Sequence, residues 1–248
     1  KEEKEARQTL FMQQGVPGPH AAGGQTFLYI SRNKYQIFVQ DKNDFKNIYN
    51  EEIEANNHIE LDNLSKFLDE NIYKIEKIVN SFIRNIILII ENEEILSTDI
   101  SIKKNNYEKN TSQKYFETNL IEVKDIFKES YHDQIIMHMV IINKDKNDNS
   151  LIFDDSNIND NYFYLEVNFI SILNSFTFTY EELLKKHHIK IKKYMSGSYI
   201  KSFLNKEQSE FLIMANQLNN GLNKNEVKLV SKTPENKGFF ERFFQLFS

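Results

Sequence analysis

The sequence contains no cysteine and no tryptophan, and 248 residues include only seven glycines and three prolines. The lack of cysteine excludes disulfide staples, thiolate metal sites and a cysteine nucleophile, and it fits a reducing, cytoplasmic setting. Glycine is scarce where chemistry would need it. Gly15, Gly18, Gly23 and Gly24 precede residue 27, which leaves Gly197, Gly221 and Gly238 for the rest of the chain. Phosphate cradles need backbone amides that a ligand can approach closely, and glycine supplies that approach. No P-loop, dinucleotide glycine fingerprint or Gly-Xaa-Ser-Xaa-Gly elbow occurs. The expectation is a protein without catalytic residues and without a cofactor. Long apolar runs are also lacking: Ile86 to Ile90 is strand-sized and far short of a membrane span. Lysine and arginine form no dense block and the net charge is −5, which excludes nucleic acid as a partner.

What is present suffices for a packed core, since apolar residues make up 40% of the chain and charged ones 27%. Residues 1–26 carry two of the three prolines and no apolar period, so they read as a flexible tail or the end of a fragment. From Phe27 the texture changes. FLYI and YQIFVQ, joined by SRNK, predict a hairpin whose second strand puts Tyr35, Ile37 and Val39 on one face. LDNLSKFLDENIYKIEKIVNSFI keeps helical spacing from Leu64 to Phe82, with Asp62 as its N-cap. NIILII and DISIKK predict strands, a second amphipathic helix starts near Thr111 or Ser112, and IIMHMVII predicts a buried strand. YFYLEVNFISI is apolar at even and odd positions, as a strand covered on both faces would be. YEELLKKHH, SYIKSFL and QSEFLIMANQLNN read as helices and IKIKKYM as a strand. The order mixes hairpins with β-α-β units and predicts mixed α/β layers.

Metal sites are not expected. His187 and His188 are adjacent, so a helix points them about 100° apart, and a cation at a helix C-terminus explains one of them. His138 reads as a satisfied sheet histidine. The loop holding Asp154, Asp155 and Asp160 lacks the glycine and terminal glutamate of a calcium loop.

The chain closes on GFFERFFQLFS. At 100° per residue, Phe239, Phe240, Phe243, Phe244, Leu246 and Phe247 share one half of a helix, and Glu241, Arg242, Gln245 and Ser248 share the other. Residues 231–237 read as a linker and 238–248 as a helix lying on a membrane surface. Docking of that helix on the protein's own core is the competing reading.

The whole pattern resembles FtsA, the actin-like bacterial cell-division family. KTPENKGFFERFFQLFS looks like that family's membrane-targeting end, and NIILIIENEEILSTDISIKK like the start of its inserted subdomain 1C (SHS2-type). IIMHMVIINKDKNDNS resembles the strand before its Asp-Gly turn. YLEVNFISILNSFTFTYEELLKKHHIKIKKYMSGSYIKSFL resembles the return into the actin-like core. The resemblance runs from Phe27 to Ser248 and implies a remnant of actin-like subdomain 1A at residues 27–83 and 174–230, with a 1C-like insertion at 84–173. The departures are specific. YISRNKYQ lacks the acidic residue and the glycine of the family's first phosphate loop, and roughly 150 residues of a second lobe have no counterpart.

Taken together, the resemblance implies a reduced, non-catalytic recruiter in the division machinery, cytoplasmic and peripheral on the inner face of the cell membrane. Its implied partners are the inner-membrane lipid surface, FtsZ and later division proteins, and further copies of itself. Two alternatives stand beside it: a diverged actin-like ATPase of the FtsA type, and a PilM-like pilus or secretion assembly protein whose partner is a peptide from a membrane protein.

Overall fold

The structure is a computed structural model that describes residues 24–41, 44–55, 61–105, 113–142, 158–159, 162–204 and 210–228. The predicted linker and terminal helix, with Phe239, Phe240, Phe243, Phe244, Leu246 and Phe247, lie outside the described residues, as do Asp154, Asp155 and Asp160.

A five-stranded sheet forms the centre of the mixed α/β fold. Its strands are β1 (Gly24–Ser31), β2 (Lys34–Asp41), β3 (Asn47–Glu54), β4 (Asn85–Glu91) and β9 (Lys190–Ser196), in the order β3-β2-β1-β4-β9. The first three make an antiparallel meander, whereas β1, β4 and β9 run parallel. β1 begins at Gly24, so the last three residues of the predicted tail belong to the sheet: Gly24 pairs with Asp41 and Thr26 with Val39.

Both faces of this sheet are covered, which explains the unbroken apolar runs of β1 and β4. Leu28, Ile30, Tyr35, Ile37, Val39, Ile86, Leu88 and Ile90 pack under helices α1 (Leu61–Val79) and α3 (Asn174–Lys186). On the opposite face Phe27, Phe38, Ile87 and Ile89 meet α4 (Gly197–Lys201) and α5 (Phe211–Asn219). The predicted grouping of Tyr35, Ile37 and Val39 is observed. Gln36 and Gln40 fall on the second face, and their Nε2 groups donate across the sheet edge to Asn50 Oδ1 and Asn47 Oδ1, at 2.9 and 2.8 Å.

α1 stops earlier than its periodicity predicts. Asn80 takes a left-handed φ of 52°, and the Ser81 N–H donates back to the Glu76 carbonyl at 3.2 Å, so a C-terminal cap replaces the last expected turn. Phe82 is consequently exposed. Asp62 lies in the first turn of the helix and not at its N-cap position.

Between β4 and α3 the chain builds a second sheet: β5 (Leu96–Asn105), β6 (Gln134–Ile141), a short β7 (Ile158–Asn159) and β8 (Tyr162–Leu173), with α2 (Gln113–Ser130) after β5. The order is β5-β8-β6, with β7 against β8, and every pairing is antiparallel. Phe163, Leu165, Val167 and Phe169 turn one face of β8 toward Val123 and Phe127 of α2. The expectation that β8 is buried on both faces holds only at its end, where Ile170 and Ile172 meet the central layers. Tyr164, Glu166 and Asn168 lie on the half-buried face instead.

β4 belongs to the central sheet, so the insertion starts after Glu91 and not at residue 84. The reason is mechanical: β4 supplies the parallel partner of both β1 and β9, and a sheet with two covered faces needs its central strand.

Candidate functional site

In open α/β sheets, ligands gather at the carboxyl ends of the parallel strands. Here those ends are Ser31, Glu91 and Ser196. The turn after β1, Ser31 to Lys34, closes with the Ser31 hydroxyl donating to the Lys34 carbonyl at 3.2 Å. It presents no glycine.

Side chains of the chain itself occupy part of the space beside that turn. The Tyr29 hydroxyl donates to Glu91 Oε2 at 2.6 Å, and Lys201 Nζ donates to Glu91 Oε1 at 2.6 Å. Burial, reinforced by the Glu91 contact, pushes the Tyr29 phenol well above its ordinary pKa, so it remains a donor. Gly197 begins α4 directly over this group. A Cβ there would stand 2.9 Å from Glu91 Cβ and 3.3 Å from Tyr29 Cε2, so the close approach requires glycine. Gly197→Val is expected to cost about 2 kcal/mol through overpacking, a fall in Tm of roughly 4 to 8 °C. Thermal melts followed by circular dichroism measure this, and an unchanged Tm would show that α4 yields freely.

A second polar group joins the insertion to the core. His138 of β6 is fully buried; its Nδ1 lies 2.9 Å from Glu226 Oε1, and its Nε2 accepts the Ser196 backbone N–H at 2.9 Å. The acceptor role of Nε2 places the proton on Nδ1, which donates to Glu226, so the imidazole is neutral. Lys193 Nζ and the Tyr199 hydroxyl also donate to Glu226, at 3.3 and 3.1 Å. The Tyr199 ring lies 4.0 Å from that of His138. Burial lowers the His138 pKa, and Glu226 offsets that only in part. For Glu226, burial acts to raise the pKa, yet the His138 and Lys193 contacts bring it below the ordinary value.

Serine, histidine and glutamate thus meet, but not as a nucleophile relay. Relay chemistry needs the serine hydroxyl on the imidazole nitrogen. That nitrogen is held by a backbone amide, and the Ser196 hydroxyl instead accepts the Tyr199 N–H as the cap of α4. The arrangement locks two sheets together.

Residues 225–227 complete the lock. Ile141 N–H donates to the Asn225 carbonyl at 2.9 Å and Val227 N–H to the Met139 carbonyl at 2.8 Å, which lays this segment along the edge of β6.

Of the other histidines singled out, His187 caps α3 and lies 3.6 Å from Asp69, and His188 takes a left-handed φ of 61° as the helix ends. Among the described residues no group of three or more acidic or histidine side chains is placed to hold a metal. No described helix is long and apolar enough to cross a membrane. Glu91 and Glu226 escaped the sequence reading because each sits in an ordinary polar stretch, ENEE and KNEVK.

No protein-family model and no curated protein sequence matches the chain. Solved structures with similar chain paths include the cytoplasmic domain of EpsL, an inner membrane component of the type II secretion system of Vibrio cholerae. The identity there is 9% and the TM-score 0.39, over 75% of this chain and 61% of that one. The PilM-PilN type IV pilus biogenesis complex gives 8% identity and a TM-score of 0.45, over 71% and 48%. A Bacteroides thetaiotaomicron protein of unknown function, described as having an actin-like ATPase fold, gives 13% and 0.33, over 74% and 56%. The chain spans between 48% and 61% of the length of these three structures.

Proposed function

We propose that the chain is a non-catalytic adaptor with an actin-like core that holds partner proteins at a membrane surface. Glu91 is the observation that carries the reading. A phosphate brought to the carboxyl ends of β1, β4 and β9 meets a carboxylate already held by Tyr29 and Lys201, beneath a helix start packed against it. The carboxylate and the close packing of Gly197 against it both oppose a nucleotide there.

The lock between insertion and core supports the same reading, because a recruiter gains from presenting two surfaces in fixed relation. Its setting is assembly of a pilus or secretion machine, with a peptide from a membrane protein as the partner. Cell division, with FtsZ as the partner, is the second setting, and no residue described above is specific to it.

Calorimetric titration of the full chain with magnesium ATP tests the main point. The expected result is no binding heat. Saturable binding that weakens when Arg32 and Lys34 of the turn are replaced by glutamine would overturn the reading in favour of a diverged ATPase.

A further inference from the structure

The opposite end of the central sheet has a feature that the adaptor reading does not use. β1 extends back to Gly24 and β4 to Asn85, but their ladder begins only at Phe27 against Ile87. The two parallel strands therefore part at their amino ends. A cleft of about 260 Å³ occupies the gap, bounded by the ends of both strands, by Val79 at the end of α1 and by residues 81 to 84 after it. Val39, Val79 and Ile86 give it apolar walls, and Arg84 and Lys192 stand at its rim.

Lys192 is there because of a register shift. Ile86 pairs with Ile191 and Ile87 with Lys193, which leaves Lys192 as the extra residue of a bulge in β9. A bulge re-aims a side chain that regular pleating would place elsewhere.

Among the described residues, the charge around the cleft has one sign and no aspartate or glutamate lines it, although the chain as a whole carries −5. Arg84 and Lys192 are exposed and, among the described residues, neither forms an ion pair. The carboxylate of Glu76, below residues 79 to 84, accepts the Ile83 N–H at 3.1 Å, so it is engaged within the fold.

From the parted strands, the bulged lysine and the unpaired cations we infer that this cleft binds a carboxylate attached to a single apolar group. Its volume lies below the range typical of drug-sized ligands and suits one side-chain-sized body. The guanidinium of Arg84 matches a carboxylate in two-pronged geometry, with Lys192 as the second charge. A free small acid and the carboxyl end of an apolar peptide share this chemistry. The inference is independent of whether the other end of the sheet binds nucleotide.

Titration of the full chain by two-dimensional amide NMR uses three probes: N-acetylphenylalanine as a peptide end, hexanoate as a free acid, and N-acetylphenylalanine amide as the uncharged control. At least one acid is expected to shift the amides of residues 24 to 26 and 84 to 86 and to bind about tenfold more tightly than the amide. The tighter acid identifies the source. Arg84→Gln and Lys192→Gln, both at exposed positions, should each weaken that binding and together abolish it, with Tm unchanged. Equal binding of acid and amide, full affinity in the double variant, or no response to either acid would overturn the inference.

Discussion

Replacing Glu226 by alanine is expected to lower the stability of the fold by about 3 kcal/mol or more, since removing one member of a buried, charge-assisted group leaves its partners without acceptors. His138 Nδ1–H and the Tyr199 hydroxyl both lose their acceptor at once, and His138 has no exposure through which water could replace it. At this chain length the fall in Tm is roughly 10 °C. Glu226→Gln keeps an oxygen facing His138 and is expected to recover part of the loss. Lys104→Ala, which breaks the exposed pair with Glu122, is expected to change stability by under about 1 kcal/mol. Denaturant melts of the three variants distinguish a buried lock from a surface contact, and an alanine variant as stable as the parent would remove the lock from the account.

The same group makes the fold sensitive to acid. His138 titrates below 6.5 in the folded chain, so on acidification from that value the unfolded chain takes up a proton that the folded chain refuses. Stability from this site is complete above 6.5 and is lost as pH falls through the folded value. Glu226 acts in the same direction at lower pH: its depressed pKa contributes stability above 4.5 that disappears as the carboxylate protonates. The titratable groups facing the pair are Lys193 of β9, which is charged, and the raised phenol of Tyr199 on α4, which stays neutral throughout this range. Melts between about pH 7.5 and pH 5 should show Tm falling faster for the parent than for His138→Gln. Parallel curves would assign the acid sensitivity elsewhere.

Flotation with lipid vesicles carries the second large effect. Under the adaptor proposal the full chain rises with the vesicles, and a chain ending at Lys237 stays below. Five phenylalanines and Leu246 occupy one half of the proposed helix, and each phenylalanine contributes about 1.5 to 3 kcal/mol if fully buried. Shallow insertion and the ordering of a short helix offset much of this, so a single tail attaches weakly and several attach well. Charge contributes little. Lys228, Lys232, Lys237 and Arg242 stand against Glu226, Glu235 and Glu241, an excess of one positive charge. Binding should therefore weaken only slightly in high salt. Equal flotation of the full and shortened chains would refute the anchoring role.

Where period and burial coincide, the sequence was readable. β1, β2 and β4 carry long apolar runs because both faces of the central sheet are covered, and α1 keeps its stripe because it lies against one of them. β3 was missed for the converse reason: NIYNEEIE is a sheet edge with Glu51, Glu52 and Glu54 exposed, so it has no apolar period. The first half of α3, NSFTFT, is rich in aromatic and β-branched residues, and packing against the central sheet overrides that strand preference. The insertion boundary moved because a strand's sheet membership depends on partners distant in sequence. His138 and Glu226 are 88 positions apart, Tyr29 and Glu91 62, and nothing local announces either contact. The order of elements predicted mixed α/β layers, and the fold has them.

The short segment laid along β6 gives the molecule a load path. Tension applied through residues beyond Lys228 enters at Val227 and Asn225 and pulls along β6, shearing two backbone hydrogen bonds together with the Glu226 contacts. Bonds loaded side by side in shear resist more force than the same bonds opened one after another. A tether at this point would therefore load both sheets at once, the inserted one through β6 and the central one through the Lys193 and Tyr199 contacts to Glu226.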